Sequence, residues 1–278
     1  MPIDWSTLRS LAPTTLVPAR ELAHNAVQWA VRAARANLTP ALDDSHTSLS
    51  WDARAAALVT QSMPDDVRVG VGVATPTLLF MRRGEVADSL ELAGKPKSIA
   101  GAWLDTHLAR AHLKAASGQT LPYEVPAADI AKAAALAPQL AVLGRWFAAA
   151  AEVLEAQRAK YAKYKPGASP VRCWPHHFDI AVLVGLEEGD AEHAKSIGFG
   201  ISPGDGYYPE PYFYLSPYPM PETKGLPSLP PGGRWHTKDF FAAVATATDL
   251  LALRNPRAGL EAIIDAAFAE GARRLHVR

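Results

Sequence analysis

Residues 67–73 read Val-Arg-Val-Gly-Val-Gly-Val, with valine at every second position. A period of two places all four valines on one face of an extended strand. Shorter alternating runs flank this stretch: Thr47–Trp51 precedes it, and Thr77–Met81 and Val86–Leu92 follow it. Because short links join antiparallel neighbours, residues 43–92 predict an antiparallel meander.

A second block of strands is predicted further along the chain, with helices around both blocks. Its four runs are Val171–Trp174, Phe178–Val184, Ser196–Ile201 and Tyr212–Leu215. The predicted helices cover residues 18–38, 98–117, 129–164, 240–253 and 256–272. Grouped strands and grouped helices are typical of the α+β class. We expect antiparallel sheets built from the two strand blocks and packed against several helices. We also expect one integrated domain over residues 1–278, in which a subdomain boundary would fall near residues 165–170.

The composition excludes several classes of protein. Of 278 residues, 28 are Lys or Arg and 28 are Asp or Glu, so the formal charge is zero. Such a balance gives no reason to expect a nucleic acid or an acidic membrane as partner. The single cysteine, Cys173, excludes an intramolecular disulfide framework and a multi-cysteine metal centre. Without a signal-peptide pattern or a recognised run of about 20 apolar residues, a soluble cytoplasmic protein is expected.

Residues 173–218 contain three of the nine histidines and five of the eight tyrosines. Aromatic rings offer stacking area, and histidines and carboxylates offer directed polar contacts, which together favour a small-molecule cleft. The candidate ligand-binding residues are Trp174, His176, His177, Asp179, His193, Asp205, Glu210, Tyr212 and Tyr214. Tyr212 and Tyr214 share a strand face, where they could equally pack the sheet. Asp205 lies in a predicted turn, where it could equally bond neighbouring amides.

A metal site is a second interpretation of the same residues. On a strand, His176 and His177 would face opposite sides, and His177 would share a face with Asp179. The spacings H-x-x-x-H and H-E-x-x-H are missing, so we expect neither a metal nor a cofactor. If a metal is bound, its expected ligands are His46, Asp179 and His193.

Two further expectations concern Asp179 and the pair formed by Glu21 and His24. Asp179 begins an otherwise apolar run and needs a partner if buried, such as a histidine, an arginine or backbone amides. Glu21 and His24 have the spacing of half a di-iron carboxylate motif. No second copy of that motif follows, so no site is predicted there.

Short motifs in both halves of the chain form a recognisable pattern. They are Ser169-Pro170-Val171, Trp174–Ala181, His193 and Gly198-Phe199 followed by Pro203-Gly204, together with Ala33–Pro40 and His46. This pattern resembles a bacterial family of uncharacterised proteins, a domain of unknown function, over most of the chain. The family pattern has an aromatic residue at Pro175 and a small or polar one at His177. The resemblance therefore favours His46, Asp179 and His193 as shared polar positions, and it implies no activity.

Three functions follow as hypotheses. The first is small-molecule binding, or an unassigned enzyme activity, at a histidine and aromatic cleft built mainly from residues 174–214. The second is a protein–protein interaction module that uses a Tyr/Pro-rich surface at residues 207–221, which would require an exposed contiguous patch. The third is a metal-dependent hydrolase. The oligomeric state is not predicted.

Overall fold

The computed structural model describes residues 3–189 and 194–277, and it confirms an α+β fold with antiparallel sheets. The chain forms two compact units that interleave in sequence. The N-terminal unit contains Thr15–Ala148 and Arg172–Phe178. The C-terminal unit contains Met1–Thr14, Ala149–Val171 and Asp179–Arg278.

The predicted meander is the sheet of the N-terminal unit. Its five antiparallel strands follow chain order: β1 (Ser50–Asp52), β2 (Ala57–Val59), β3 (Val67–Gly72), β4 (Thr77–Arg82) and β5 (Glu85–Glu91). Val67, Val69 and Val71 of β3 are all buried, as their alternation predicts. Strand β2 was not predicted, because three residues are too few to show a period.

Two helices belong wholly to this unit. Helix α1 (Val17–Asn37) has Pro18 in its first turn, where a missing N–H costs nothing, and α1 packs against β3. Helix α2 (Lys97–Arg110) ends before the predicted boundary at residue 117. The reason is His112, whose φ of 58° is left-handed and lets the Leu113 N–H bond the Leu108 carbonyl.

Helix α3 (Ala137–Tyr161) follows a 3-10 segment at Ile130–Leu136. Pro138 lies in the first turn of α3, so it marks a break between two helical segments rather than a kink. By length and composition, Ile130–Tyr161 could cross a membrane, and half of its most apolar window is buried. No membrane-spanning run was predicted here, because charged residues interrupt the alanine-rich stretch, and core helices of soluble proteins have the same properties.

The chain continues through β6 (Gly167–Ala168) and β7 (Arg172–Trp174), of which β7 belongs to the N-terminal unit. The C-terminal unit adds β8 (Asp179–Gly185), β9 (Ser196–Ser202), β10 (Tyr212–Tyr218), β11 (Arg234–His236) and β12 (Ala242–Thr246). Its antiparallel strands pair in the order β11–β12–β10–β9–β8–β6. The four strands of the second predicted block are thus confirmed as β7, β8, β9 and β10, and β6, β11 and β12 were not predicted.

The two faces of this sheet differ in chemistry. One face carries the apolar side chains of Ile180, Val182, Ile197, Phe199, Ile201, Phe213 and Leu215, all buried. Helix α5 (Pro256–Arg274) packs on it, with Gly271 close to Ile197 and Pro217. The opposite face therefore holds the alternate residues of each strand, which include the candidate residues Asp179, Tyr212 and Tyr214.

The helix predicted at residues 240–253 is wrong in its first half. Residues Ala242–Thr246 form β12, and only Ala247–Ala252 form a helix, α4. All five β12 residues are buried, because the strand pairs with β10 on one side and β11 on the other. A fully buried alanine-rich strand shows no alternation, so its tertiary position overrides the helical preference of alanine.

Candidate functional site

The candidate residues 175–178 form a turn and not a strand. The N–H groups of His177 and Phe178 both donate to the Trp174 carbonyl, at 3.2 and 2.7 Å. Phe178 is buried with a left-handed φ of 60°. Strand β8 begins only at Asp179, so the expectation that His177 and Asp179 share a strand face is wrong. Pro175 favours this turn, because its ring fixes φ.

Helix α1 holds this turn through Pro175, within the N-terminal unit. His24 Nε2 donates to the Pro175 carbonyl at 2.8 Å, and Gln28 Nε2 donates to the same oxygen at 3.2 Å. The His24 ring also stacks on Phe178, with centroids 5.1 Å apart. His24, set aside in the sequence analysis, is thus a support of the turn. Gln28 lies four residues after His24 on the same helix face, and this spacing could have predicted that the two side chains bind a common group.

Three candidate side chains cluster on the outer side of this turn. The half-buried His176 ring lies 6.1 Å from Trp174, 5.9 Å from Tyr123 and 4.3 Å from His177. Burial lowers the pKa of His176, and the neighbouring His177 lowers it further. His176 is therefore favoured in its neutral form, which can accept a hydrogen bond.

The stability of the protein is expected to depend on pH through His24. Burial lowers its pKa from the ordinary 6.5, and Arg20, His176 and His177 lower it further against the hydrogen bond to Pro175. Below pH 6.5 the unfolded chain therefore takes up a proton before the folded one, and the free energy of unfolding falls. Denaturant titrations at neutral and mildly acidic pH should show a smaller fall for His24→Gln than for the wild type. His112→Asn, at an exposed histidine, should keep the wild-type fall. An equal fall in His24→Gln would contradict the assignment.

The expected metal ligands do not form a described site. His46 lies in the N-terminal unit, where its Nδ1 accepts the Ala41 N–H at 3.1 Å. Asp179 belongs to the C-terminal unit, and His193 lies outside the described residues. Within residues 3–189 and 194–277, no three His, Cys, Asp or Glu side chains converge as metal ligands.

The remaining candidates meet on the sheet face of the C-terminal unit that lies opposite α5. We call it the tyrosine face and define it by Asp179, Ser202, Asp205, Tyr207, Tyr208, Tyr212, Tyr214, His236 and Phe240. Cross-strand pairing places Asp179, Ser202, Tyr212 and Thr246 in one row across four strands. These four polar residues are 4–6% exposed. A buried polar row is costly unless its groups are bonded, and such rows are typical of functional sites.

The buried Asp179 has a hydrogen-bond partner, as expected, and one such partner is a tyrosine hydroxyl, which was not among the groups named for it. The Tyr214 hydroxyl donates to Asp179 Oδ2 across the intervening strand β9. The residue between them is Gly200, which pairs with both Tyr214 and Ala181. An added Cβ at Gly200 would lie only 2.9 Å from the Tyr214 hydroxyl. The motif Gly198-Phe199-Gly200 thus puts phenylalanine into the core and leaves room for Tyr214 above the sheet.

The turn role of Asp205 is confirmed, its ligand-binding role stays a prediction, and its second carboxylate oxygen bonds a tyrosine. Its Oδ1 accepts the N–H groups of Tyr207 and Tyr208, at 2.8 and 3.0 Å, which fixes the predicted turn. Its Oδ2 accepts the Tyr212 hydroxyl at 2.5 Å. Burial raises the pKa of Tyr212, and the bond to Asp205 raises it further. Tyr212 therefore remains a protonated donor at physiological pH.

Glu210, by contrast, has a structural contact. Its Oε2 accepts both the N–H and the hydroxyl of Thr248, each at 2.7 Å. Thr248 lies in the first turn of α4, where backbone N–H groups have no helical partner. Glu210 thus anchors the start of α4 beside the tyrosine face.

Several residues of this region were not predicted as site residues: Ser202 and Thr246 of the buried row, and Arg234, His236 and Phe240. β11 brings Arg234 and His236 to the tyrosine face, because they pair with Val244 and Ala242. The His236 ring stacks on Phe240 at 3.9 Å, and Phe240 packs against Tyr207 at 4.9 Å. The period of two between Arg234 and His236 was available in the sequence, but the surrounding prolines and glycines obscured it.

The Tyr/Pro-rich segment 207–221 is only partly exposed. Tyr207 and Tyr218 are 54% and 47% exposed, while Tyr208 and Tyr214 are half-buried and Tyr212 is buried. Met220 is 68% exposed beyond the end of β10. An interaction surface at this segment remains a prediction, and its exposed Tyr and Pro positions would be Tyr207, Pro209, Tyr218 and Pro219.

Comparisons with known proteins found no relative of this chain. No family model, curated protein or solved structure matches this chain.

Proposed function

We propose that the protein binds a small organic molecule at the tyrosine face. The observation that carries this proposal is the row of buried polar side chains on a sheet face where Tyr208, Tyr214 and Phe240 pack beside them. A sheet face that only had to pack would be apolar at these positions, because each buried polar group must recover its lost hydration. Small-molecule sites combine a few fixed polar groups with aromatic walls in this way.

The one cation described at this face, Arg234, is paired with Asp249, so the remaining charges of the face favour a ligand that donates hydrogen bonds. Asp179 and Asp205 place two carboxylates on one face. The donors that bond Asp205 are two amides and a phenol, all of them neutral. Asp205 is half-buried beside the exposed Tyr207, so a ligand can approach it from solvent. An aromatic or aliphatic ammonium ion fits this arrangement, since a cation is attracted both to carboxylates and to ring faces.

Three probes of one shape test the proposal: benzylammonium, benzyl alcohol and benzoate. We expect calorimetric titration to rank benzylammonium first and benzoate last, with at least about a tenfold difference in Kd from the opposite charges. Asp205→Asn keeps an acceptor for the turn amides and removes the charge. It should abolish most of the difference between the first and last probes.

The matched control is Glu222→Gln, which removes an exposed carboxylate of the same unit. It should leave the ranking unchanged. Equal binding of benzoate and benzylammonium to the wild type would contradict the proposal. So would an Asp205→Asn variant with the full wild-type preference.

A further inference from the structure

Tyr208 and His236 form a hydrogen-bonded pair in which the donor and the acceptor can be assigned. The Tyr208 hydroxyl lies 2.7 Å from His236 Nδ1, and His236 Nε2 lies 2.5 Å from the Lys238 carbonyl. A carbonyl oxygen only accepts, so Nε2 carries the proton of the neutral ring. Nδ1 is then the acceptor, and the Tyr208 hydroxyl donates to it. The backbone carbonyl of Lys238 thereby fixes the imidazole tautomer.

We propose that Tyr208 is a reactive tyrosine, with His236 as the general base that takes its phenolic proton. A hydroxyl, a base within hydrogen-bond reach and a third group that orients the base are the parts of an activated nucleophile. The structure supplies all three within the C-terminal unit, at half-buried positions that solvent can reach. This inference goes beyond the binding function, because it assigns chemistry to the site.

The surroundings of Tyr208 support the charge that develops on its oxygen. The guanidinium of Arg234 lies 5.4 Å from the centre of the Tyr208 ring, and the Asp249 carboxylate holds Arg234 in place. A fixed cation near a forming phenolate lowers the cost of ionisation. The adjacent Tyr207 is 54% exposed and packs against Phe240 and His236 through ring edges. It is therefore an internal reference for an ordinary tyrosine.

The substrate class that suits this pair is an activated acyl ester. Tyr208 Oη would form a bond to the carbonyl carbon while the phenolic proton moves to His236 Nδ1. The ester C–O bond would break, and the leaving alkoxide would take the proton back from His236 and depart as the alcohol. Water would then hydrolyse the acyl-tyrosine, which returns the free phenol and releases the acid.

Sulfonyl fluorides report on the same reactivity without knowledge of the substrate. The phenol oxygen forms a bond to sulfur, the S–F bond breaks with loss of fluoride, and the proton moves to His236. Labelling by aminoethyl benzenesulfonyl fluoride, which is cationic, and by the uncharged phenylmethanesulfonyl fluoride is followed by peptide mass spectrometry. Tyr208 should be labelled at least about tenfold faster than Tyr207 by both reagents, a bound below the roughly 10²–10⁴-fold that a general base contributes.

The variant His236→Phe keeps the ring that stacks on Phe240 and removes the base. It should bring the labelling rates of Tyr208 and Tyr207 within about threefold, the range left when general base assistance is lost. An unchanged Tyr208 rate in the folded variant would overturn the proposal. The wild-type comparison does not depend on that variant folding, and equal rates at Tyr207 and Tyr208 would also overturn it. A Tyr208 preference with the cationic reagent alone would overturn the reactive tyrosine and leave ligand binding in place.

Discussion

Gly200→Ala should lower the free energy of unfolding by about 1–3 kcal/mol, as overpacking of a close-packed site does. An added Cβ would meet the Ile180 carbonyl oxygen at 2.6 Å and the Ala181 Cβ at 2.7 Å. Neither atom can move without displacing strand β8, because both are fixed to its backbone. The Tyr214 hydroxyl, at 2.9 Å from the same Cβ, would also have to leave its place above the strand.

Gly198→Ala is the matched control on the same strand and the same face. Its nearest atom outside the chain neighbours is Leu183 Cδ1 at 3.7 Å, an ordinary contact. This variant should be neutral or more stable by up to about 1 kcal/mol, since alanine restricts the unfolded chain more than glycine does. Denaturant unfolding of the two variants measures the difference. Equal stabilities would contradict the close approach of Tyr214 and β8 at Gly200.

The second large effect concerns the hydrogen bond between Tyr214 and Asp179. Tyr214→Phe and Asp179→Asn each remove part of it, and the pair should show a coupling energy of about 1–3 kcal/mol in a double-mutant cycle. The value is expected to be high because Asp179 is 6% exposed, so water replaces the lost partner poorly. Unfolding in denaturant provides all four free energies of the cycle.

The control cycle combines Asp179→Asn with Tyr207→Phe, which removes a hydroxyl from an exposed ring. Its two changes should be additive within about 0.5 kcal/mol, as for independent sites. A Tyr214–Asp179 coupling that is no larger than this control would show that the hydrogen bond contributes no stability. It would contradict the claim that this bond stabilises the buried polar row.

Local periodicity predicted the parts of the fold that depend on neighbouring residues. The alternating valines of β3 and the runs of β8, β9 and β10 became strands close to their predicted bounds. Strand β12 could not be predicted in this way, because its five small residues are buried on both faces. The predicted strands stop at Trp174 and resume at Phe178, but the predicted face of His177 was wrong because alternation was assumed to continue from Pro175 to Asp179.

The residue types of the candidate site could be predicted from the sequence, but the contacts between those residues could not. The density of tyrosines and acids identified Asp179, Asp205, Tyr212 and Tyr214, which the tyrosine face brings together. Their partners depend on the register of three strands, which is set by long-range pairing. For the same reason His236, which lies 28 positions from Tyr208 in sequence, was not predicted as its partner.

The most direct measurement of the central claim is the location of bound benzylammonium by intermolecular nuclear Overhauser effects to ring-labelled tyrosines. The tyrosine face and the cluster around His176 are separate candidates, and each contains its own tyrosines. We expect contacts from the ligand ring to Tyr207 and Tyr208. Contacts to Tyr123 alone would place binding beside His176 instead, and would contradict the assignment of the ligand site to the tyrosine face.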